Sequence, residues 1–294
     1  MKYMKREKVA KRMIIRLLLN RLFKALSFLA TLFGVFMLAI LLYRVFSEGI
    51  RFLSWDFLTG KLSTEVDRAG VLGAIIGSLW LLVVVIPVMM IVGIGTAVFI
   101  EFYLPEGRFK SLISLNITNL AGVPSIVYGI LGLAIFVRSM NLGSVVLAGG
   151  LTIALLVLPI TIVATQEALQ AIPADLSDGA LGLGASKWLA IWTITLPAAF
   201  PSIITGAILA LSRAIGETAP LVVIGIPTLL LPLPGSIFDK FTVLSMQIYY
   251  WTIDSVLVEE YANLAAATII VLLGVLFTLN FIAVIIRRKY EILY

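Results

Sequence analysis

The sequence contains no cysteine and no histidine. Disulfides, thiolate nucleophiles and cysteine-ligated metal sites are therefore excluded, and so is imidazole acid–base or metal chemistry. The phosphate-binding loop G-x-x-x-x-G-K-[ST] does not occur either, so the chain has no P-loop of its own for ATP. Together these absences exclude the commonest catalytic centres, and we do not expect the chain to be an enzyme.

Charge is scarce as well: 13% of the 294 residues are charged, whereas 61% are apolar. A soluble globular domain is about 25% charged and about 45–50% apolar. This chain cannot cover its apolar side chains with a polar surface, which excludes a cytosolic enzyme, a secreted domain and a disordered regulator. The composition predicts an integral membrane protein, and the net charge of +6 is typical of basic cytoplasmic loops rather than of a nucleic-acid partner.

Six apolar runs are each long enough to cross a hydrocarbon core of about 30 Å as a helix. Backbone groups in lipid must bond internally, and no run alternates as a membrane β-strand does, so helices are expected. The predicted fold class is all-α, a polytopic membrane protein with six transmembrane helices. The runs cover residues 23–46, 71–99, 112–137, 145–164, 203–226 and 264–286.

Six spans place both termini on the same side of the membrane. With cytoplasmic termini, fifteen basic residues lie in inner segments and six in outer segments, which favours this orientation in a plasma membrane. The chain then divides into a basic cytoplasmic segment (1–22), the first span with its outer loop (23–70), a membrane core (71–286) and a cytoplasmic tail (287–294). The basic segment is interpreted either as an amphipathic helix on anionic membrane lipid or as a frayed tail.

The cytoplasmic segment 166–202 carries local signals for two short helices. Pro173 suits the first turn of one helix, and Gly184 disfavours its continuation. Ser186 is a suitable cap for a second helix, which Pro197 is expected to end.

Arg213 and Glu217 are charged residues inside the fifth predicted span. Arg213 lies twelve residues beyond Pro201, or about 18 Å along a helix, so we expect it near the middle of the bilayer. An arginine there disfavours insertion by about 2.5–3.5 kcal/mol. The i, i+4 spacing places both charges on one face, but with Arg before Glu in the less favourable order. Local helix stability is therefore a poor explanation for the pair.

An anion path explains the pair better. The arginine fork suits a tetrahedral oxyanion. Glu217 would repel an anion unless that anion carries a proton, and phosphate near neutral pH keeps at least one P–OH whereas sulfate has none. A site that requires a substrate hydroxyl rejects analogues lacking it. Arg213 is thus the predicted contact for phosphate and Glu217 its gate partner or hydrogen-bond acceptor, with a structural ion pair to another helix as the alternative.

Neighbouring residues add candidates for the same path. Thr218 offers a hydroxyl, and Pro220 loosens the helix because it has no backbone N–H. In the third span, Ser125 and Tyr128 share a helical face, and Gly129 permits close approach of another helix.

Three stretches resemble known permeases. Residues 178–197 are similar to the loop E-A-A-x3-G-x9-I-x-L-P of ABC-importer permeases, with Asp178 in place of Glu and Gly179 in place of Ala. The stretches A-G-V-P-S-I-V-Y-G (121–129) and S-R-A-I-G-E-T-A-P (212–220) resemble the PstA-type permeases of bacterial phosphate-specific ABC transporters. The sister PstC-type permeases are similar.

The resemblance implies a type I ABC importer permease with a MetI-like fold across residues 71–286. The loop within 166–202 would dock on an ATPase subunit, and its expected coupling residues are Asp178, Gly179, Ala180, Gly184 and Lys187. The residues expected to contact the passing anion are Arg213, Glu217, Thr218, Ser125 and Tyr128.

The resemblance also implies partners. These are a homologous PstC-type permease, two ATPase subunits that bind the ATP, and an extracytoplasmic phosphate-binding protein; no cofactor or metal of this chain's own is expected. In the outer segment 228–261, Tyr249, Tyr250 and Trp251 suit a membrane-interface belt or a contact with the binding protein.

Two other functions stay open. One is a permease for another oxyanion, such as molybdate or sulfate, against which Glu217 argues. The other is an ion-coupled secondary transporter, which would use intramembrane carboxylates and need no ATPase.

Overall fold

The computed structural model describes residues 6–227 and 232–289, and most of these residues are helical. Twelve α-helices are found in this part of the chain: α1 Arg6–Gly49, α2 Trp55–Thr59, α3 Leu72–Val98, α4 Arg108–Leu120, α5 Ser125–Gly132, α6 Val146–Gln170, α7 Ala174–Gly182, α8 Lys187–Ala190, α9 Leu196–Gly216, α10 Ala219–Ile224, α11 Leu244–Asp254 and α12 Glu260–Lys289. π-Helical turns follow α3, α5 and α8, at Phe99–Tyr103, Leu133–Ser139 and Ile191–Thr195.

Five helical stretches in the described residues are long and apolar enough to cross a membrane: Ile15–Gly49, Leu72–Tyr103, Val146–Gln170, Lys187–Gly216 and Glu260–Lys289. A sixth candidate is the pair Arg108–Leu120 and Ser125–Ser139, which meet at 97°. The prediction of an all-helical, multi-spanning fold is confirmed.

The third predicted span, 112–137, is therefore a bent pair rather than one straight helix. Pro124 lies at the bend with an extended backbone, φ −55° and ψ 136°. It has no N–H to continue the ladder of α4, and its ring disfavours helical geometry at Val123.

Helix α1 joins the predicted basic segment to the first span without a break. Between residues 13 and 41 its described side chains are exposed. Its C-terminal end packs on α12, where a Cβ added at Gly49 would lie 2.6 Å from the carbonyl carbon of Ala266. Residues 1–5 of the predicted basic segment and 290–294 of the predicted tail lie outside the described residues.

Helix α6 is central to the bundle and packs on α3, α5 and α9. Small residues let these helices approach closely. A Cβ added at Gly150 would lie 2.6 Å from Val84 of α3, and one added at Gly206 of α9 would lie 2.5 Å from Ala164.

Pro197 does not end a short helix, so that prediction is wrong. Helices α8 and α9, with the turn between them, form one helix over Lys187–Gly216. Pro197 follows a π-helical turn in which Leu196 N–H donates to Ile191 O, five residues back. The wider turn accommodates a residue that has no N–H to give. Because α6 also continues to Gln170, the stretch between the two long helices shrinks to residues 171–186.

The described part of the segment 228–261, residues 232–261, folds back into the bundle. Phe241 is fully buried, and a Cβ added at Gly149 of α6 would lie 2.6 Å from its ring. The backbone is anchored on both sides of Phe241: Val146 N–H donates to Asp239 O at 3.1 Å, and Leu244 N–H donates to Ser78 Oγ at 3.0 Å. Residues 241–247 of this segment are buried and form part of the core.

The interpretation of Trp251 as a membrane-interface residue is wrong. Trp251 is 3% exposed, and its ring centroid lies 6.1 Å from that of Phe57 in α2. It holds α11 against α2, whereas the neighbouring Tyr249 is exposed.

Candidate functional site

The two stretches singled out in the sequence meet in the structure. A Cβ added at Gly129 of α5 would lie 2.8 Å from the Cα of Pro220 in α10 and 3.0 Å from its carbonyl oxygen. This contact leaves no room for a side chain at residue 129. The close approach predicted for Gly129 thus brings the third-span stretch to the end of the fifth span.

Arg213 and Glu217 form an ion pair at the end of α9. Arg213 lies in the last helical turn, and its Nε is 3.0 Å from Glu217 Oε1. Glu217 is the first residue beyond the helix, with φ −74° and ψ 128°. The pair therefore lies across a break in the helix, as the nearby Pro220 leads one to expect.

The guanidinium is only partly covered. The side chain of Arg213 is 40% exposed and that of Glu217 is 17% exposed. Among the described residues, Glu217 is the hydrogen-bond partner of Arg213. This bond uses Nε, and the guanidinium carries further donors on its two Nη groups.

The backbone beside the ion pair is fixed by α11. Ser245 Oγ donates to Glu217 O at 3.1 Å, and Thr218 Oγ1 donates to Ser245 O at 3.5 Å. The carbonyl of Thr218 accepts the N–H groups of Leu221 and Val222, both at 3.0 Å, at the start of α10. Thr218 therefore already has partners in its own chain.

Tyr128 supports the bend between α4 and α5. Its ring is buried, its hydroxyl donates to Leu120 O at 2.9 Å, and it lies within electrostatic range of Arg213. Ser125 is half-buried at the first residue of α5. In the described part of the chain it makes no hydrogen bond with Arg213 or Glu217.

Ser245 and Asn280 belong to the surroundings of this site, and the sequence did not reveal them. Ser212 Oγ donates to Asn280 Oδ1 at 3.1 Å and so holds the end of α9 against α12. Asn280 is a polar residue within the last apolar run, and this unusual position is the feature of the sequence that could have indicated a contact. Ser245 lies in the segment that folds back, which the sequence did not place in the bundle.

The predicted coupling residues lie on and after α7. Asp178 and Gly179 are exposed, whereas Ala180 is buried. Gly184 has φ +91°. The helix end is closed by Ala185 N–H donating to Ala180 O at 3.1 Å and by Gly184 N–H donating to Leu181 O at 2.9 Å, the Schellman arrangement that favours glycine.

Lys187 lies away from α7. Ser186 caps α8 as predicted, accepting from Leu189 N–H at 3.2 Å. The Lys187 ammonium donates to Phe102 O and lies 5.4 Å from the centroid of the Tyr103 ring. Lys187 therefore ties the start of α8 to the π-helical turn that follows α3.

The other charged cluster at this end joins three helices. Gln170 Nε2 of α6 donates to Glu101 Oε2 at 3.0 Å, and Lys110 Nζ of α4 lies 3.7 Å from the same oxygen. Lys110 also pairs with Glu106 at 2.6 Å. These contacts hold the π-helical turn after α3 against α4 and α6.

These features define a multi-pass membrane protein with an ion pair at a broken helix and the short helix α7 between two long helices. Residues 89–291 match the family described as the binding-protein-dependent transport system inner membrane component. The match covers more than half of the chain, which therefore belongs to this family of ABC transporter permeases, in the plasma membrane.

Individual relatives agree. The probable ABC transporter permease YqgI of Bacillus subtilis is 35% identical over 174 residues, 59% of each chain. The phosphate transport system permease PstA of Pasteurella multocida is 34% identical over 210 residues, 70% of this chain and 73% of that protein. The chain thus spans less than two thirds of the first relative and almost three quarters of the second.

A solved structure shows the same fold. The inward-facing MetNI methionine ABC transporter is matched with a TM-score of 0.58 at 16% identity, over 76% of this chain and 96% of that one. At this identity the likeness shows the fold alone, and it confirms the predicted MetI-like architecture. The relatives are permeases rather than enzymes.

Proposed function

We propose that this chain is the PstA-type permease subunit of an ATP-driven importer of inorganic phosphate. The observation that carries the proposal is the half-open guanidinium of Arg213, 3.0 Å from Glu217, at the junction of α9 and α10. Relatives named as phosphate transport permeases support phosphate as the cargo.

The ion pair provides two complementary functions. With no cargo present, Glu217 balances the arginine charge, which would otherwise be costly at this place in a membrane. An arriving phosphate binds the Nη donors of Arg213 through its oxygens. Its P–OH donates to a carboxylate oxygen of Glu217, so the acidic residue stabilises phosphate and repels sulfate.

The partners follow from the same function. A PstC-type permease completes the pore, two ATPase subunits bind the ATP for which this chain has no P-loop, and a phosphate-binding protein delivers cargo outside. Helix α7 docks on an ATPase subunit, with both termini of the chain in the cytoplasm. Leu183, directly after α7, is 93% exposed, which supports a partner on this side.

Transport of labelled phosphate by the assembled complex tests the proposal. Arg213→Ala removes the fork and should lower uptake at least tenfold, since a hydrogen bond to a charged group contributes about 1.5–3 kcal/mol. Arg44→Ala is a matched control, because Arg44 Nε also pairs with a glutamate four residues on, Glu48, at 2.8 Å. It should leave uptake unchanged.

Two outcomes would contradict the proposal. One is full uptake by Arg213→Ala in a complex that still co-purifies with its ATPase. The other is phosphate movement by this chain alone in vesicles under an ion gradient, which would favour a secondary transporter.

A further inference from the structure

An apolar groove of about 530 Å³ lies between α3 and the helix formed by α8 and α9. It is separate from the ion pair, whose residues do not line it. None of its lining residues is charged: Met90, Ile91, Ile94, Gly95, Val98, Phe99, Tyr103, Trp188, Trp192 and Leu196. Ile91 on the groove wall is 75% exposed, so the groove opens onto the outside of this chain.

The floor of the groove is open at Gly95. A Cβ added there would meet no other atom within 4 Å. This differs from Gly77 on the same helix, where an added Cβ would overlap the Thr242 carbonyl. Gly95 is thus not needed for packing within the chain, and the space above it is free for an occupant.

Aromatic residues line one end of the groove. The rings of Trp188 and Trp192 lie 5.2 Å apart, and Tyr103 stands on the opposite wall. Tryptophan and tyrosine favour the membrane–water interface, where the ring is in an apolar layer and the polar atom is wet. This end of the groove therefore matches the headgroup depth of the leaflet nearest α7.

A positive charge lies at the same end. The Lys187 ammonium is positioned by the Phe102 carbonyl and the Tyr103 ring. An ammonium has three donors, and this contact uses one of them. The carboxylate of Glu101, one residue before Phe102, is engaged by Lys110 and Gln170. It does not neutralise Lys187, so the ammonium charge is available to an anionic ligand.

We propose that this groove binds an acyl chain of an anionic phospholipid, whose phosphate contacts Lys187. A phospholipid satisfies both parts of the site, since its acyl chain matches the uncharged walls and its headgroup matches the ammonium. The inference goes beyond phosphate transport and requires only that the chain is embedded in a membrane. The bound lipid would contact the helix that directly follows the coupling segment.

Tryptophan quenching by brominated lipids tests the site in the assembled full-length complex. Vesicles contain brominated-acyl phosphatidylglycerol or brominated-acyl phosphatidylcholine at equal mole fraction. The difference in fluorescence quenching between the protein and its Trp188→Phe/Trp192→Phe variant is the quenching of the two groove tryptophans, here called the groove signal. We expect about fivefold tighter apparent binding of phosphatidylglycerol, the contribution of one lysine near a lipid phosphate.

Substitutions assign the two parts of the site. Gly95→Leu should fill the groove and abolish the groove signal, whereas Gly34→Leu on α1, where an added Cβ also meets no atom within 4 Å, should leave it unchanged. Lys187→Gln should retain the quenching but bind phosphatidylglycerol and phosphatidylcholine with about equal apparent affinity.

Three results would overturn the proposal. In the first, neither lipid quenches the groove tryptophans, as when a partner helix covers them. In the second, both lipids quench them equally although Lys187 is intact. In the third, the quenching signal of Gly95→Leu is undiminished. Because no phosphate is transported in this experiment, its failure is distinguishable from failure of the proposed function.

Discussion

The backbone of Pro220 lies directly against Gly129, so that a Cβ at residue 129 would sit 2.8 Å from the Pro220 Cα. This contact joins the bent third span to the break that carries Glu217. The position of α10, and with it the ion pair, therefore depends on the absence of a side chain in α5.

Gly129→Ala should separate α5 from α10. Overpacking of this kind costs about 1–3 kcal/mol, and we expect a lower melting temperature of the purified complex together with reduced phosphate uptake. Gly274→Ala in α12 is the control, since an added Cβ there meets no atom within 4 Å. Equal melting temperatures for the two variants would show that the close contact between Gly129 and Pro220 does not determine the stability of the complex.

Gly77→Ala should disrupt the segment that folds back into the bundle. A Cβ at residue 77 would overlap the carbonyl oxygen of Thr242, and backbone cannot rotate away as a side chain does, so we expect a loss of about 3 kcal/mol or more. Gly95→Ala on the same helix should preserve stability. The check is the amount of folded protein that survives heating in detergent, and similar survival of both variants would contradict the packing described here.

Glu217→Gln should weaken the discrimination between phosphate and sulfate. The amide still accepts a hydrogen bond, but the negative charge that repels sulfate is gone. We expect the selectivity for phosphate to fall about tenfold, corresponding to about 1.4 kcal/mol, as measured by competition of unlabelled sulfate against labelled phosphate. Glu48→Gln, in the Arg44 pair, is the control. Selectivity equal to that of the unsubstituted protein would leave Glu217 as a structural partner of Arg213.

Gly184→Ala and Gly182→Ala should have opposite effects on α7. Gly184 has φ +91°, where a Cβ costs about 1–2 kcal/mol, so alanine there should loosen the helix end and reduce ATP-driven uptake. Gly182 is the last residue of α7, and alanine should favour the helix by up to about 1 kcal/mol. Uptake and ATP hydrolysis measured together give the coupling ratio. The idea fails if Gly184→Ala retains the ratio of the unsubstituted complex.

The long helices could be predicted because an apolar run in a membrane satisfies its backbone hydrogen bonds by forming a helix. Ser186 was identifiable as a cap from local chemistry alone. The continuation through Pro197 was not, since a π-helical turn requires hydrogen bonds that no short sequence pattern specifies.

The ion pair was predictable because charges in an apolar run are rare and costly. The contacts that hold α11 beside the pair could not be predicted. Ser245 reaches Glu217 O only because the outer segment enters the bundle, and Trp251 is buried only because α2 covers it. Both depend on tertiary contacts between residues far apart in sequence, which residue type and spacing do not encode.

Helix α1 is fastened to the rest of the chain chiefly where Gly49 meets α12. A long apolar helix accommodates a change in hydrocarbon thickness by tilting. In thicker or thinner bilayers α1 is thus free to change its inclination about that attachment. Helix α9, which carries Arg213, packs on α6 and α12, so it keeps its position while the first helix adapts to the lipid composition.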